Sequence, residues 1–432
     1  MSLSTWTDRA LFGPVDRARV AVLERVVYAV LAFDLWIEMV PHGSRYGAGG
    51  LNVAHFAWLD VLQGLPDAST YLAVIFASGV LCLGLALGLG GRAARWAAFA
   101  LYTYGWAMSQ LDSYQHHFFL SIVLFHFALD AGPPEAQRPE RGCAWPYQLL
   151  VASIAIVYAY TGLSKTEEAW LMGDVLVRIN ASGGKMDPFL AVAQSAGLSA
   201  ERFWWLGGHM VVLAQWLIVA GYLAVFLDPA RRRRSTAWIA GVGLLTAVAF
   251  HAGAEYLELR VGWFSAYMFL LAAVILGPAW PWRLLRSEAT GLSALIESRL
   301  QGVGGLARAV GAAAVLGASW ACQELIDLPS TSALGITAVL LTVVALWSAR
   351  SRDTAALIGA KITCVLVVAV LCLTQGTVHY DFYRYLGGDL VRRDQPVAAL
   401  DAYGKANSWA PPGEGRHAKV RKIQATLPGA IK

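Results

Sequence analysis

An uninterrupted apolar run from Leu149 to Gly162 delivers the chain to an amine: Tyr158-Ala-Tyr-Thr-Gly162-Leu-Ser-Lys165, with Glu167, Glu168 and Trp170 directly after. A lysine in that position is either an interfacial anchor that keeps its charge in water, or an amine held where water is scarce, its pKa lowered enough to act as a base. Histidines supply further titratable groups. Asp112-Ser-Tyr114-Gln-His116-His117 opens one apolar segment, His209 opens another behind Trp204-Trp205, and Phe250-His251 closes a third, ahead of Gly262-Trp263-Phe264-Ser265. Adjacent helical positions point about 100° apart, so His116 and His117 are poorly set to share one ion, and no metal is expected. A hydrogen-bonding or acid–base role at the membrane boundary fits them better, with a structural role as the alternative for each. Asp34 and Glu38, four apart, should share a helix face turned to the bundle interior. Alternatively Glu38 reaches the interface and Asp34 bonds a neighbouring helix.

The elements that must position these groups are membrane helices. The 432 residues are 57% hydrophobic and 15% charged, against about 25% charged in a soluble domain. The apolar segments are helix-length, which implies an all-α polytopic integral membrane bundle and not a barrel. About eleven membrane segments are expected, at 18–39, 70–90, 93–110, 117–131, 147–163, 204–227, 236–254, 263–280, 307–323, 332–349 and 358–376. Arginines mark the alternate loops: Arg17 and Arg19, Arg92 and Arg95, Arg138 and Arg141, Arg231 to Arg234, Arg283 and Arg286, Arg350 and Arg352. That places the N-terminus in the cytoplasm, with Lys165, most histidines and the C-terminal tail outside. The net charge of +5 comes from these loops, and no nucleic-acid partner is expected. The five scattered cysteines form no CxxC pair and imply neither a disulfide framework nor a zinc site. Loop 40–69, rich in glycine and aromatics, is either an interfacial helix roofing a site or a plain connection.

On these residues the region from Arg17 to Pro278 resembles the membrane domain of vitamin K-dependent gamma-carboxylase and its bacterial relatives, the horizontally transferred transmembrane (HTTM) domain. The match rests on Tyr158-x-x-x-Gly162-x-x-Lys165 with Trp170, on His117-Phe-Phe-Leu leading to Phe-Ala-Leu-Asp130, on Phe250-His251 with Gly262-x-Phe-Ser, and on Asp34 with the Tyr46/Gly49/Gly50 loop. The resemblance implies a lysine base that deprotonates reduced vitamin K or a menaquinol-like quinol. Oxygen then converts the quinol to an epoxide through a strongly basic alkoxide, with carbon dioxide as co-substrate where an acceptor is carboxylated. Carried over, Lys165 is the base, His117 orients it or the quinol, and His251 is a weaker candidate for that role. Asp34, Asp112, Tyr114, His116, Trp170, His209 and Trp263 are substrate-binding candidates, the aromatics by stacking. The chain departs from the family at Glu167 and Glu168, at Glu255, Glu258 and Arg260, and in lacking the large globular region that holds peptide substrates. Quinol oxidation is therefore the half of the activity expected here.

Residues 1–280 form the expected HTTM-like membrane domain. Residues 281–377 hold a cytoplasmic amphipathic segment and three further spans. Residues 378–432 form a short extramembrane helical hairpin, read either as one tetratricopeptide-like repeat awaiting a protein or peptide partner or as an ordinary hairpin covering the bundle. The expected location is a bacterial inner membrane. Two other readings stand beside the enzyme: a lipid- or quinone-binding scaffold presenting its tail to a partner, and a metal-dependent membrane oxygenase using the outer histidines.

Overall fold

The computed structural model describes residues 11–43, 68–107, 115–130, 145–231, 233–259, 262–285 and 352–427, and the single positions 313, 317, 326 and 328. Every regular element among them is helical. Among the described residues three helices are long and apolar enough to cross a membrane: α6 (Trp145–Ser164), α10 (Ala200–Leu227) and α11 (Arg234–Tyr256). The bent pair Leu357–Leu373 and Gly376–Arg392 passes the same test jointly, and Tyr71–Ala86, His116–Leu129 and Trp263–Leu276 are shorter apolar helices. Each expected segment within the described residues falls on a helix, whereas 307–323 and 332–349 lie almost wholly outside them.

The chain divides into two units, Met1–Val27 with Leu129–Ala289, and Tyr28–Ala128 with Thr290–Lys432. The first is built on α6, α10, α11 and α12 (Trp263–Leu276), with the short helices α7 (Glu168–Leu171), α8 (Asp174–Ala181) and α9 (Asp187–Ser195) between α6 and α10. The Ser199 hydroxyl caps α10, accepting from the Arg202 amide. Helices α10 and α11 cross at Gly221 and Gly243, where a β-carbon on either would lie about 3 Å from the other's Cα.

Four of the arginines read as loop markers gather at one end of this unit. Arg19 donates to the Ile275 carbonyl at 2.6 Å, and Arg231 donates to the carbonyls of Ile275, Leu276 and Gly277. Arg17 faces Asp130 at 3.7 Å and Arg283 pairs with Asp16 at 2.8 Å. The first two satisfy the free carbonyls at the end of α12, where a cation also meets the negative pole of the helix dipole.

The second unit holds α2 (Val40–His42), α3 (Ala68–Ala86), α4 (Arg92–Ala107), α5 (Gln115–Leu129) and the C-terminal helices α13 (Arg352–Leu373), α14 (Gly376–Arg392), α15 (Pro396–Trp409) and α16 (His417–Gln424). Between α1 (Arg17–Asp34) and α2 the backbone makes a π turn over Leu35–Met39. Asp34 is buried and Glu38 exposed, so the two carboxylates do not both face the interior; Glu38 reaches the surface, as in the alternative reading of this pair. The tail also differs from a two-helix hairpin. Helix α14 starts at Gly376, after a two-residue break from α13, and a third helix, α16, closes it. Ala399, Tyr403 and Ile423 form its core with Leu390, Leu400 and Val420. The tail docks on α2, with the rings of His42 and Tyr385 4.9 Å apart.

Candidate functional site

The first unit contains a cavity of about 590 Å³ between α8, α10 and α11, with Lys165 as the one charged residue among the described residues that line it. Its wall is aliphatic: Leu176 and Ile179 from α8, Met210 to Leu217 from α10, Leu245 to Ala254 from α11, then Leu257 and Leu259. The rim residues Met210, Leu213 and Leu245 are also exposed at the surface of the chain. Large exposed apolar side chains of this kind suit a surface that meets lipid.

Lys165 stands just beyond the last turn of α6. Its Nζ donates to the Thr161 carbonyl at 3.2 Å and lies 5.4 Å from the centre of the Trp170 ring. Among the described residues no carboxylate forms an ion pair with it, so Glu167 and Glu168 do not neutralise it. Burial pushes its pKa below the ordinary lysine value.

Glycines bring Trp170 to this position. A β-carbon at Gly208 of α10 would lie 2.0 Å from the Trp170 carbonyl oxygen, and one at Gly173 would lie 2.3 Å from that of Trp204. Gly173 also has φ +84°, a left-handed conformation that favours glycine. Only with both positions bare can the Trp170–Gly173 turn lie flat on α10. Further along, Lys185 pairs with Glu258 at 3.0 Å, the Tyr256 hydroxyl donates to the Lys185 carbonyl at 3.4 Å, and the rings of Phe189 and Tyr256 lie 6.2 Å apart. The segment after Lys165 is thus tied at both ends, to α10 and to the end of α11, and holds Leu176 and Ile179 over the cavity. Glu258 is part of this tie.

Behind Lys165, two turns back on α6, the Tyr158 hydroxyl shares a 2.7 Å hydrogen bond with His251 Nε2. Both are buried. His251 is ringed by Phe264 and Phe269, and Tyr158 stacks on Tyr222 at 6.0 Å. His251 therefore faces the interior of the first unit, between α11, α6 and α12, while its neighbour Phe250 lines the cavity. Thr161 donates to the Gln215 side chain, joining the same turn of α6 to α10.

Of the other residues named from sequence, Trp170 lines the cavity. His209 does not: its Nδ1 bonds the Trp205 carbonyl of its own helix at 2.9 Å and its ring lies on Trp205. Trp263 lies beside Tyr267, 6.5 Å between centroids. Asp112 and Tyr114 lie outside the described residues. His116, His117 and Asp34 belong to the second unit. There His117 Nδ1 and the Tyr102 hydroxyl lie 2.8 Å apart, and the His116 ring packs on His117 at 4.1 Å. Trp106 donates to the Ser121 hydroxyl at 2.6 Å close by. Asp34 is near enough to Tyr102 to act on it electrostatically. Among the described residues no group of three His, Cys, Asp or Glu side chains could hold a metal ion. Sequence reasoning missed Tyr102 as a partner of His117, the glycines under Trp170, and the whole aliphatic wall. Tyr158 was visible only as part of a motif.

Three helices of spanning length whose charges lie only at their ends, and a lysine beside a greasy cavity, mark a helical membrane protein. A family model, the HTTM domain, matches residues 12–280, and the chain belongs to that family. No solved structure matches it.

Proposed function

We propose that this chain is a membrane enzyme of the vitamin K-dependent gamma-carboxylase type, oxidising a naphthoquinol with oxygen and using Lys165 as the base. The observation that carries this reading is the Lys165 amine: half-buried, without a carboxylate partner among the described residues, and at the edge of an aliphatic cavity. Membership of the HTTM family, which is found in vitamin K-dependent carboxylases, supports it.

The aliphatic wall takes the isoprenoid tail of the quinol and keeps water from the base. Trp170 offers one aromatic face to the ring. The neutral Nζ of Lys165 accepts the quinol proton, and the Thr161 carbonyl, at the negative end of α6, is placed to receive a hydrogen bond from the ammonium that results. In the balanced reaction the quinol loses two hydrogens and gains one oxygen atom, and the second atom of O2 leaves as water. Tyr158 and His251 are positioning residues, fixing α6 against α11 below the lysine.

The finer placement is a bacterial inner membrane crossed about eleven times, with the arginine end of each span cytoplasmic and Lys165 outside. The gathering of Arg17, Arg19, Arg231 and Arg283 at the end of the first unit away from Lys165 supports that orientation.

The test is purified wild type against Lys165→Ala in lipid discs, supplied with reduced naphthoquinone and oxygen, with epoxide measured by chromatography. Loss of a general base should lower the rate by about 10²-fold or more. Equal epoxide yields would contradict the assignment.

A further inference from the structure

The last helix carries a charge pattern that the quinol reading does not use. On α16, Val420 and Ile423 pack into the tail core, while Lys419, Arg421 and Lys422 are exposed. No carboxylate among the described residues forms an ion pair with these three.

The tail's own geometry brings the start of this helix back to where α13 ends. Helix α14 leaves the α13 direction at 59°. Its 17 residues span about 25 Å, so its far end climbs only about 13 Å along the α13 axis. Helix α15 then returns. Trp409 at its end stacks on His379 at 4.7 Å and lies 3.4 Å from where a β-carbon of Gly376 would stand. The Tyr380 hydroxyl donates to the Glu414 carbonyl at 2.6 Å, and the Arg416 guanidinium lies over the Tyr380 ring at 5.9 Å. Residues 409–416 thus sit at the foot of α14, beside the end of the apolar helix α13, and α16 begins there.

A tryptophan with 44% of its surface exposed, next to the end of an apolar helix, is placed as an interfacial aromatic. Cations within about 8–10 Å of an anionic bilayer feel its surface potential, at about 1 kcal/mol per residue. We propose that Lys419, Arg421 and Lys422, with Arg416 and Trp409, dock the tail onto anionic phospholipid headgroups around the end of α13. An acidic protein surface would satisfy the charges equally. The low climb of α14 and the position of Trp409 favour lipid.

The experiment is hydrogen–deuterium exchange of the full chain in discs of phosphatidylcholine alone and in discs with about 30% phosphatidylglycerol. Amides of α16 should exchange about fivefold more slowly in the anionic discs, and the protection should vanish above about 0.5 M salt. Both K419Q/R421Q/K422Q and K419E/R421E/K422E should remove it, while exchange in α14 and α15 stays unchanged and so reports an intact tail. Equal α16 exchange in the two discs would overturn the proposal. So would protection that persists in high salt or in the glutamine variant. Protection that is the same in both discs and in detergent would point to a protein contact instead, and would also overturn it.

Discussion

Among the described residues, each unit buries a hydrogen-bonded tyrosine–histidine pair, Tyr158 with His251 in the first and Tyr102 with His117 in the second. Bond lengths and burial are nearly alike. The surroundings are not. The first pair stands two turns behind an amine that edges an aliphatic cavity. The second is packed among Trp106, His116 and the hydroxyl of Ser121, with Asp34 nearby. A buried imidazole bonded to a phenol is a way of locking two helices together wherever it occurs. What sets the first unit apart is the lysine and the space beside it, not its histidine.

Lys165→Ala should break that contrast most severely, lowering quinol oxidation by about 10²-fold or more while leaving the melting temperature nearly unchanged. The phenols come next. Tyr158→Phe and Tyr102→Phe each take a partner from a buried imidazole, which costs about 1–3 kcal/mol. Thermal unfolding should register both. Only Tyr158→Phe should also shift the KM or kcat for quinol, and equal kinetic effects from the two would remove the distinction between the units. A steric pair sharpens it further. Gly208→Ala drives a β-carbon toward the Trp170 carbonyl, and Gly79→Ala drives one toward the Trp36 indole at 2.3 Å. Each should destabilise by about 1–3 kcal/mol, yet only the first should loosen Trp170 and raise the exposure of Lys165 to labelling. The smallest effect belongs to Lys185→Ala. It removes an exposed ion pair, so melting should hardly move. Exchange in the α8–α9 segment should nevertheless quicken.

The helices were legible in the sequence because apolar length and flanking charge are local properties. So was the setting of Lys165, since a lysine ending an apolar run cannot be far from its boundary. The cavity was not, because its wall is Leu, Ile, Val and Ala, residues that look the same in any membrane helix. The contact of Gly208 with Trp170 joins positions whose neighbours give no hint of each other. Arg231 read as a topological marker and also caps α12. Glu258 read as a departure from the family and ties down the segment beside the site. His209 read as a candidate ligand-binding group and spends its ring nitrogen on its own helix. The π turn after Asp34 escaped pattern reading because the residues there keep an ordinary helical composition.

Two lysines of the first unit offer the most direct test of the central claim, that Lys165 is a partly desolvated amine available as a base. Burial lowers the pKa of Lys165, whereas the hydrogen bond and charge of Glu258 raise that of Lys185. Since only the neutral amine acylates, labelling across a pH series, read by mass spectrometry of the full chain in lipid discs, reports both pKa values at once. Lys165 should reach half-labelling at the lower pH, with a lipophilic naphthoquinone slowing its labelling and not that of Lys185. Half-labelling of Lys165 at the same pH as Lys185 or above it would contradict the account.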